Sequence, residues 1–162
     1  YQPKERTVIT LDDYNIPRSL KKFMQTSDFE FSLNRDTIEI IKNCADREET
    51  WISDELIEAY RGLMEIDYLH SVSVYQKSNL VGGLYGVAIG GAFFGESMFS
   101  KVSQASKSAL AVLLTHLKEK DYTLLDVQFQ TSHLKMFGTK EIDFFEYNDL
   151  LDIAYKSEIS FL

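Results

Sequence analysis

The chain has 162 residues, 44% of them hydrophobic and 13% aromatic, which is enough for one compact domain with a sizeable core, or for one domain and a remnant of another. This composition excludes a disordered chain, and no run approaches the roughly 18 apolar residues of a membrane-spanning helix. The net charge of −8 argues against broad nonspecific nucleic-acid binding, although it is compatible with a local basic patch.

The N-terminal residues 1–10 (YQPKERTVIT) lack the basic and then apolar layout of a signal peptide, and they also lack an initiating methionine. We therefore expect the chain to be trimmed at its N-terminus. The single cysteine, Cys44, excludes an internal disulfide bond and fits a reducing, cytoplasmic location.

The first half of the chain predicts three helices. Residues 14–25 (YNIPRSLKKFMQ) form a short helix with an apolar stripe and with the densest basic cluster of the chain. Residues 34–45 (NRDTIEIIKNCA) form a second helix, with Asp36 as its N-cap and Glu39 three positions on, in a variant of the capping box. Residues 53–66 (SDELIEAYRGLMEI) form a third, with apolar residues at helical spacing.

The second half predicts a sheet and one long helix. Residues 70–76 (HSVSVYQ) alternate as a half-buried strand does, and residues 80–99 indicate two strands joined by a hairpin turn at Gly90 and Gly91. Residues 105–120 (ASKSALAVLLTHLKEK) are the clearest helix. The remaining elements are a buried strand at 123–130, a helical turn at 132–138 and a terminal helix or strand at 143–156. This order predicts an α+β domain with a mixed sheet covered by helices.

Several well-known kinds of site are disfavoured by the sequence. The three histidines, His70, His116 and His133, are far apart and belong to no metal-ligand motif, so no metal site is predicted. The glycine-rich segment 82–91 (GGLYGVAIGG) lacks the lysine of a P-loop and the strand–turn–helix context of a dinucleotide site. No serine lies in the GxSxG pattern of a hydrolase elbow.

Polar residues near strand ends are what remain. If the second hairpin strand is regular, Phe94, Glu96 and Met98 share one face, and Glu96 is either a rim salt bridge or a site residue. Asp126 and Gln128 share a face near the end of the 123–130 strand, where the carboxylate could polarise the amide or bind a charged group. Spacing alone leaves a purely structural role open for each.

Six segments, which follow one another in order along nearly the whole chain, are similar to segments of a known protein family. They are TWISDELIEAY, HSVSVY, LVGGLYGVAIGGAFFGESMFS, ASKSAL, LLDVQ and HLKMFGTKEI. Together they resemble the bacterial leucyl/phenylalanyl-tRNA–protein transferases. The string GGLYG…GESMFS…ASK…AL is long and therefore specific.

The resemblance implies an enzyme that transfers leucine, phenylalanine or methionine from aminoacyl-tRNA to a protein with an N-terminal arginine or lysine, marking it for degradation. It implies a GNAT-like domain over residues 15–162 that needs no metal or coenzyme. Residues 1–14 would be a remnant of the family's small N-terminal domain. We also expect a cytoplasmic monomer with no membrane association.

The resemblance also implies roles for individual residues. Gln128 contacts the reacting groups, Asp126 polarises and orients Gln128, and Glu96 holds a substrate amino group or the basic acceptor. Trp51 stacks on the terminal adenine of the tRNA, or is a core residue. The residues matching the family's apolar pocket for the donor side chain are Leu84, Phe93, Met98, Leu110, Leu113, Leu117 and Leu125. The candidates for tRNA phosphates, or for a solvated face, are Arg18, Lys21 and Lys22.

Two other functions compete with this hypothesis. An acyl-CoA-dependent acetyltransferase would need a glycine-rich loop before the long helix to hold the pyrophosphate, and residues 100–107 (SKVSQASK) contain no glycine. A non-catalytic module could recognise N-terminal arginine or lysine through Glu96 and Asp126. Such a module would bind peptide without turnover, but it would not need an apolar pocket.

Overall fold

The computed structural model describes residues 5–46 and 50–162 of the chain. The helices within them are α1 Arg18–Thr26, α2 Thr37–Ala45, α3 Asp54–Glu65, α4 Ala105–Glu119, α5 Ser132–Lys135 and α6 Phe144–Tyr155. The strands are β1 Glu5–Thr10, β2 Phe29–Leu33, β3 Leu69–Gln76, β4 Asn79–Ile89, β5 Ala92–Ser100, β6 Leu124–Gln128 and β7 Lys140–Asp143.

All strands of the described residues belong to one sheet with the order β2-β3-β4-β5-β6-β1-β7. Neighbouring strands are antiparallel except β5 and β6, which are parallel because the long helix α4 connects them. The predicted α+β fold with a mixed sheet covered by helices is therefore confirmed.

Helices cover both faces of the sheet. On one face, α4 and α1 pack on residues that include Ile9, Leu84 and Leu125. On the other face, α2 and α3 pack around Tyr85, and α6 packs around Leu124. The alternation of neighbouring residues between the two faces, as at Leu124 and Leu125, is what strand geometry requires.

The predicted helices and the hairpin are confirmed, with boundaries shifted by a few residues. The turn lies at Gly90 and Gly91, where Gly90 has a φ of 55° and an added Cβ would lie 2.4 Å from the carbonyl oxygen of Ala154. The segment 143–156, left open between helix and strand, forms the helix α6.

Three strands were not predicted from the sequence: β1, β2 and β7. They are four to six residues long and form where distant partners pair with them, as Thr7 does with Gln128. The strand β1 lies in the sheet between β6 and β7. That residues 1–14 are the remnant of another domain stays a prediction, and residues 1–4 lie outside the described residues.

Two local predictions were wrong. The strand β3 is buried on both faces rather than on one, because α4 packs on one side and α2 on the other. Asp36 precedes α2 as predicted but has a φ of 53°, and its side chain makes no capping bond. Its carboxylate instead accepts a hydrogen bond of 2.5 Å from the hydroxyl of Tyr75 in β3. This bond replaces the one that the carboxylate would make to the backbone N–H groups at the start of α2.

Candidate active site

The site lies where β5 and β6 separate. The two strands pair only from Ala92 with Leu124 to Phe94 with Asp126. Beyond that point, the side-chain amide of Gln128 donates a hydrogen bond of 3.1 Å to the carbonyl oxygen of Gly95 and so bridges the gap. A cavity of about 400 Å³ opens there between the sheet and α4.

The cavity has an apolar floor and a polar edge. Of the residues predicted to form the donor pocket, the structure brings five to its wall: Leu84, Met98, Leu110, Leu113 and Leu125. The other two, Phe93 and Leu117, are fully buried in the core and are not among the lining residues. The polar edge is formed by Glu96 and Gln128, which sequence reasoning had placed at the reacting centre.

Glu96 lies in a β-bulge, which the sequence did not reveal. Tyr85 pairs with Ser97 and the next residue, Gly86, pairs with Gly95, so Glu96 has no partner in β4. The bulge breaks the alternation of β5. The expectation that Phe94, Glu96 and Met98 share a face is therefore wrong, since Phe94 packs against α6 and Met98 faces the core under α4.

The surroundings of Glu96 disfavour its charge. The hydroxyl of Tyr60 on α3 donates a hydrogen bond of 3.2 Å to Oε2 of Glu96. Burial raises the pKa of Glu96 above its ordinary value; the charge of Asp126 adds to this rise, while Tyr60 and Arg6 oppose it. A cationic group bound in the cavity would offset the cost of this buried charge.

A second tyrosine hydroxyl lies close to this carboxylate. Tyr85 is fully buried, lines the cavity, and packs its ring edge-on against Tyr60 with 5.2 Å between centroids. Its hydroxyl is buried, and burial, followed by the neighbouring Tyr60, raises the pKa of Tyr85 above its ordinary value. Tyr60 and Tyr85 therefore form a pair of neutral hydroxyls beside Glu96.

Asp126 lies behind the cavity wall and is fully buried. Its carboxylate accepts hydrogen bonds from Nε of Arg6 at 2.8 and 3.1 Å, and one of 2.6 Å from the hydroxyl of Tyr147. Oδ1 also accepts a bond of 2.8 Å from the backbone N–H of Gln128. The contact between Asp126 and Gln128 therefore runs through the backbone, whereas the side-chain amide of Gln128 bonds to Gly95.

Two exposed aromatic rings border the cavity. Trp51 is 59% exposed and Phe129 is 69% exposed, and both are lining residues. An exposed tryptophan is incompatible with the alternative that Trp51 is a core residue, and its uncovered ring is free to stack on a planar group.

The basic residues of α1 are not part of this cavity. Arg18, Lys21 and Lys22 are exposed, and none of them lines it. Lys21 instead borders a separate groove of about 470 Å³ between α1 and α4.

Sequence reasoning missed five residues of the site: Arg6, Tyr60, Tyr85, Tyr147 and Phe129. Arg6 lies 120 positions from Asp126, so their proximity follows from the pairing of β1 with β6. Tyr60 is one of the apolar residues at helical spacing in the predicted helix 53–66, and that spacing does not indicate a site. The one available signal was Phe129, an aromatic residue directly after Gln128.

Among residues 5–46 and 50–162, no group of three or more His, Cys, Asp or Glu side chains could hold a metal ion. In the same part of the chain, no helix is both long and apolar enough to cross a membrane.

Comparison with known sequences gives matches over most of the chain. The sequence model of the leucyl/phenylalanyl-tRNA protein transferase family matches residues 8–152. A leucyl/phenylalanyl-tRNA–protein transferase from Ruegeria sp. (strain TM1040) is 48% identical over 140 residues, which cover 86% of this chain and 67% of that protein. One from Pelodictyon phaeoclathratiforme is 44% identical over 165 residues, covering 99% of this chain and 85% of that protein.

Among solved structures, L-PGS from Bacillus licheniformis aligns with all of this chain and 55% of its own, with a TM-score of 0.53 and 12% identity. At that identity the likeness concerns the fold alone. The two sequence relatives and the family model carry the assignment, because each covers most of the chain. The residues that the family model matches include those that line the cavity. The chain belongs to the leucyl/phenylalanyl-tRNA–protein transferase family.

Proposed function

We propose that the chain transfers leucine, phenylalanine or methionine from an aminoacyl-tRNA to a protein that begins with arginine or lysine, and so marks that protein for degradation. Membership of the family supports the reaction class. The observation that carries the proposal at the level of residues is the apolar cavity that opens beside Glu96 and Gln128.

The cavity suits an unbranched or γ-branched apolar donor side chain. Its volume of about 400 Å³ is within the range of small-molecule sites, and Leu84, Leu110 and Leu113 form a largely buried apolar wall. Such a wall attracts leucine, phenylalanine and methionine alike, because burial of apolar area is not directional. A donor branched at Cβ would be excluded by shape alone.

The reaction is aminolysis of an ester. The neutral α-amine of the acceptor attacks the carbonyl carbon of the aminoacyl ester, a C–N bond forms and the C–O bond to the tRNA ribose breaks. The amine loses one proton and the departing ribose oxygen gains one. Gln128 reaches the reacting groups with its side-chain amide, where it positions them and stabilises charge on the carbonyl oxygen.

Glu96 holds a cation at the edge of the cavity. Its carboxylate is half-buried and bonds to one tyrosine hydroxyl, so a substrate ammonium or guanidinium would gain a charge-assisted hydrogen bond.

The tRNA end enters past the exposed aromatic rings. Trp51 stacks on the terminal adenine, an interaction worth about 1–3 kcal/mol. The basic residues of α1 contact the phosphate backbone farther from the cavity, where Arg18, Lys21 and Lys22 are exposed.

The test mixes the purified chain, a peptide that begins with arginine, and tRNA charged with labelled leucine. Mass spectrometry then looks for one added leucine at the peptide's N-terminus. We expect addition with leucyl-tRNA and none when acetyl-CoA replaces it. Acetylation would favour the acetyltransferase, whereas peptide binding without any addition would favour the non-catalytic module.

A further inference from the structure

We propose that Arg6 and Tyr147 are positioning residues of the transfer reaction, which act on Gln128 through the carboxylate of Asp126. This inference rests on the proposed function, and it assigns a role to two side chains that lie outside the cavity wall. They come from opposite ends of the chain, since Arg6 is in β1 and Tyr147 is in α6.

The carboxylate of Asp126 is occupied by donors of the protein itself, and one N–H of Arg6 is shared between its two oxygens. Oδ1 accepts from Arg6 and from the backbone of Gln128, and Oδ2 accepts from Arg6 and from Tyr147. The side chain is also fully buried and is not among the residues lining the cavity. Asp126 therefore does not take the proton of the attacking amine, and its charge is directed at the protein.

The backbone of Gln128 has a conformation that is unfavourable for a residue with a side chain. Its φ is 67°, a left-handed conformation that costs a residue with a side chain about 1–2 kcal/mol. The hydrogen bond from its N–H to Asp126 holds this conformation, and the conformation aims the side-chain amide across the gap towards Gly95. Moving the carboxylate would therefore move the amide away from the cavity edge.

Arg6 and Tyr147 both hold the carboxylate of Asp126 through Oδ2. The guanidinium lies 5.6 Å from the centre of the Tyr147 ring, so the two donors also pack against each other. Burial raises the pKa of Tyr147 above its ordinary value, and the hydrogen bond to Asp126 raises it further. The hydroxyl of Tyr147 therefore keeps its proton and remains a donor in the neutral pH range. Loss of either donor removes one of the two hydrogen bonds to Oδ2, so the carboxylate is held less firmly.

The experiment compares Tyr147→Phe with wild type in the leucine-transfer assay. Tyr147→Phe removes one hydroxyl and keeps the ring. We expect kcat to fall about tenfold, the KM for the peptide and the Kd for leucyl-tRNA to stay within about twofold, and Tm to fall by a few degrees. The matched control is Tyr122→Phe, which removes a buried hydroxyl without a described partner, away from the site.

A second variant, Arg6→Ala, gives a readout that a purely structural role would not produce. Arg6 is 26% exposed, so a small guanidinium ion can enter the space that its side chain leaves. We expect kcat to fall at least tenfold and to be partly restored by millimolar guanidinium, but not by equal concentrations of sodium. Rescue of kcat by an ion that destabilises folded proteins in general would point to positioning.

The outcomes separate this inference from the proposed function. Wild type that adds no leucine would overturn both. Leucine addition by wild type that continues at the same kcat in Tyr147→Phe would overturn only the positioning role. A loss of kcat that tracks the loss of Tm in both Tyr147→Phe and Tyr122→Phe would also overturn it.

Discussion

The two carboxylates of the site lie on neighbouring strands but in opposite surroundings. Asp126 is in the paired part of the sheet and is fully enclosed by donors from β1, β6 and α6. Glu96 is in a bulge at the cavity edge, where one tyrosine hydroxyl bonds to it and burial raises its pKa. A carboxylate with all its partners stabilises the structure, whereas one with too few is poised to bind a cation from the substrate.

The largest expected effect is on the free energy of unfolding, when the enclosed carboxylate of Asp126 loses its charge. Asp126→Asn keeps the shape of the side chain but leaves the guanidinium of Arg6 without its counter-charge. Breaking a buried ion pair costs about 3–5 kcal/mol, and we expect the lower end because Arg6 is partly exposed. Urea unfolding measures this loss, with the exposed Asp152→Asn as its control. A loss as small as that of the control would contradict the enclosed role.

The next effect is on catalysis. Gln128→Ala should lower kcat by about a hundredfold while the Kd for tRNA changes little, because the amide acts in the transition state. Since alanine is strained at a φ of 67°, Gln128→Asn is the matched variant: asparagine tolerates that conformation but reaches one carbon less far. An unchanged kcat in both variants would remove Gln128 from the reacting centre.

Trp51→Ala tests the rim of the cavity. Removing the stacking surface should raise the Kd for leucyl-tRNA by about tenfold, and the free energy of unfolding should hardly move because the ring is 59% exposed. Fluorescence anisotropy of labelled tRNA measures the Kd. If the Kd stays the same, Trp51 does not stack on the tRNA.

Met98→Ala tests the floor. Shortening this half-buried side chain enlarges the cavity beside Leu84, so the kcat/KM ratio should shift from leucyl- towards phenylalanyl-tRNA by about threefold to tenfold. Competition between the two charged tRNAs in one reaction gives the ratio directly. If the ratio is the same in wild type and Met98→Ala, Met98 is not a wall of the pocket.

The smallest effect concerns stability on the cavity side. Because burial raises the pKa of Glu96 in the folded protein, its stabilising effect is complete below the unfolded pKa and is lost as pH rises through the folded pKa. Glu96→Gln should therefore increase the free energy of unfolding at pH 8 relative to wild type, and by less near pH 4. Denaturation at the two pH values measures the difference. A gain that is larger at the acidic pH would contradict the direction of the shift.

Sequence reasoning predicted the elements with strong local patterns. The leucine stripe of α4 and the paired glycines of the β4–β5 turn lead to the same structure whatever surrounds them. It also selected Glu96, Gln128, Trp51 and five pocket residues that the fold brings to one cavity. Their roles in the reaction stay predictions.

What the sequence could not reveal depends on distant partners. The strand β1 exists because β6 and β7 pair with it, and Arg6 reaches Asp126 only through that pairing. The bulge at Glu96 adds one residue to β5 without a mark in the alternating pattern. Phe93 and Leu117 are as apolar as the true lining residues, so composition alone could not separate core from wall.

Our central claim is that Asp126 stabilises the structure whereas Glu96 binds the substrate. The pH dependence of leucine transfer in wild type and Glu96→Gln tests this claim most directly. The measurement is the single-turnover rate onto an arginine peptide at saturating leucyl-tRNA. We predict that the wild-type rate falls on the acidic side as Glu96 gains a proton, at a pH above the ordinary range of a glutamate, since burial raises its pKa. In Glu96→Gln the rate should be low, and only the acidic limb that comes from protonation of the acceptor's α-amine should remain. An acidic limb that is the same in both proteins would contradict the claim that Glu96 faces the substrate.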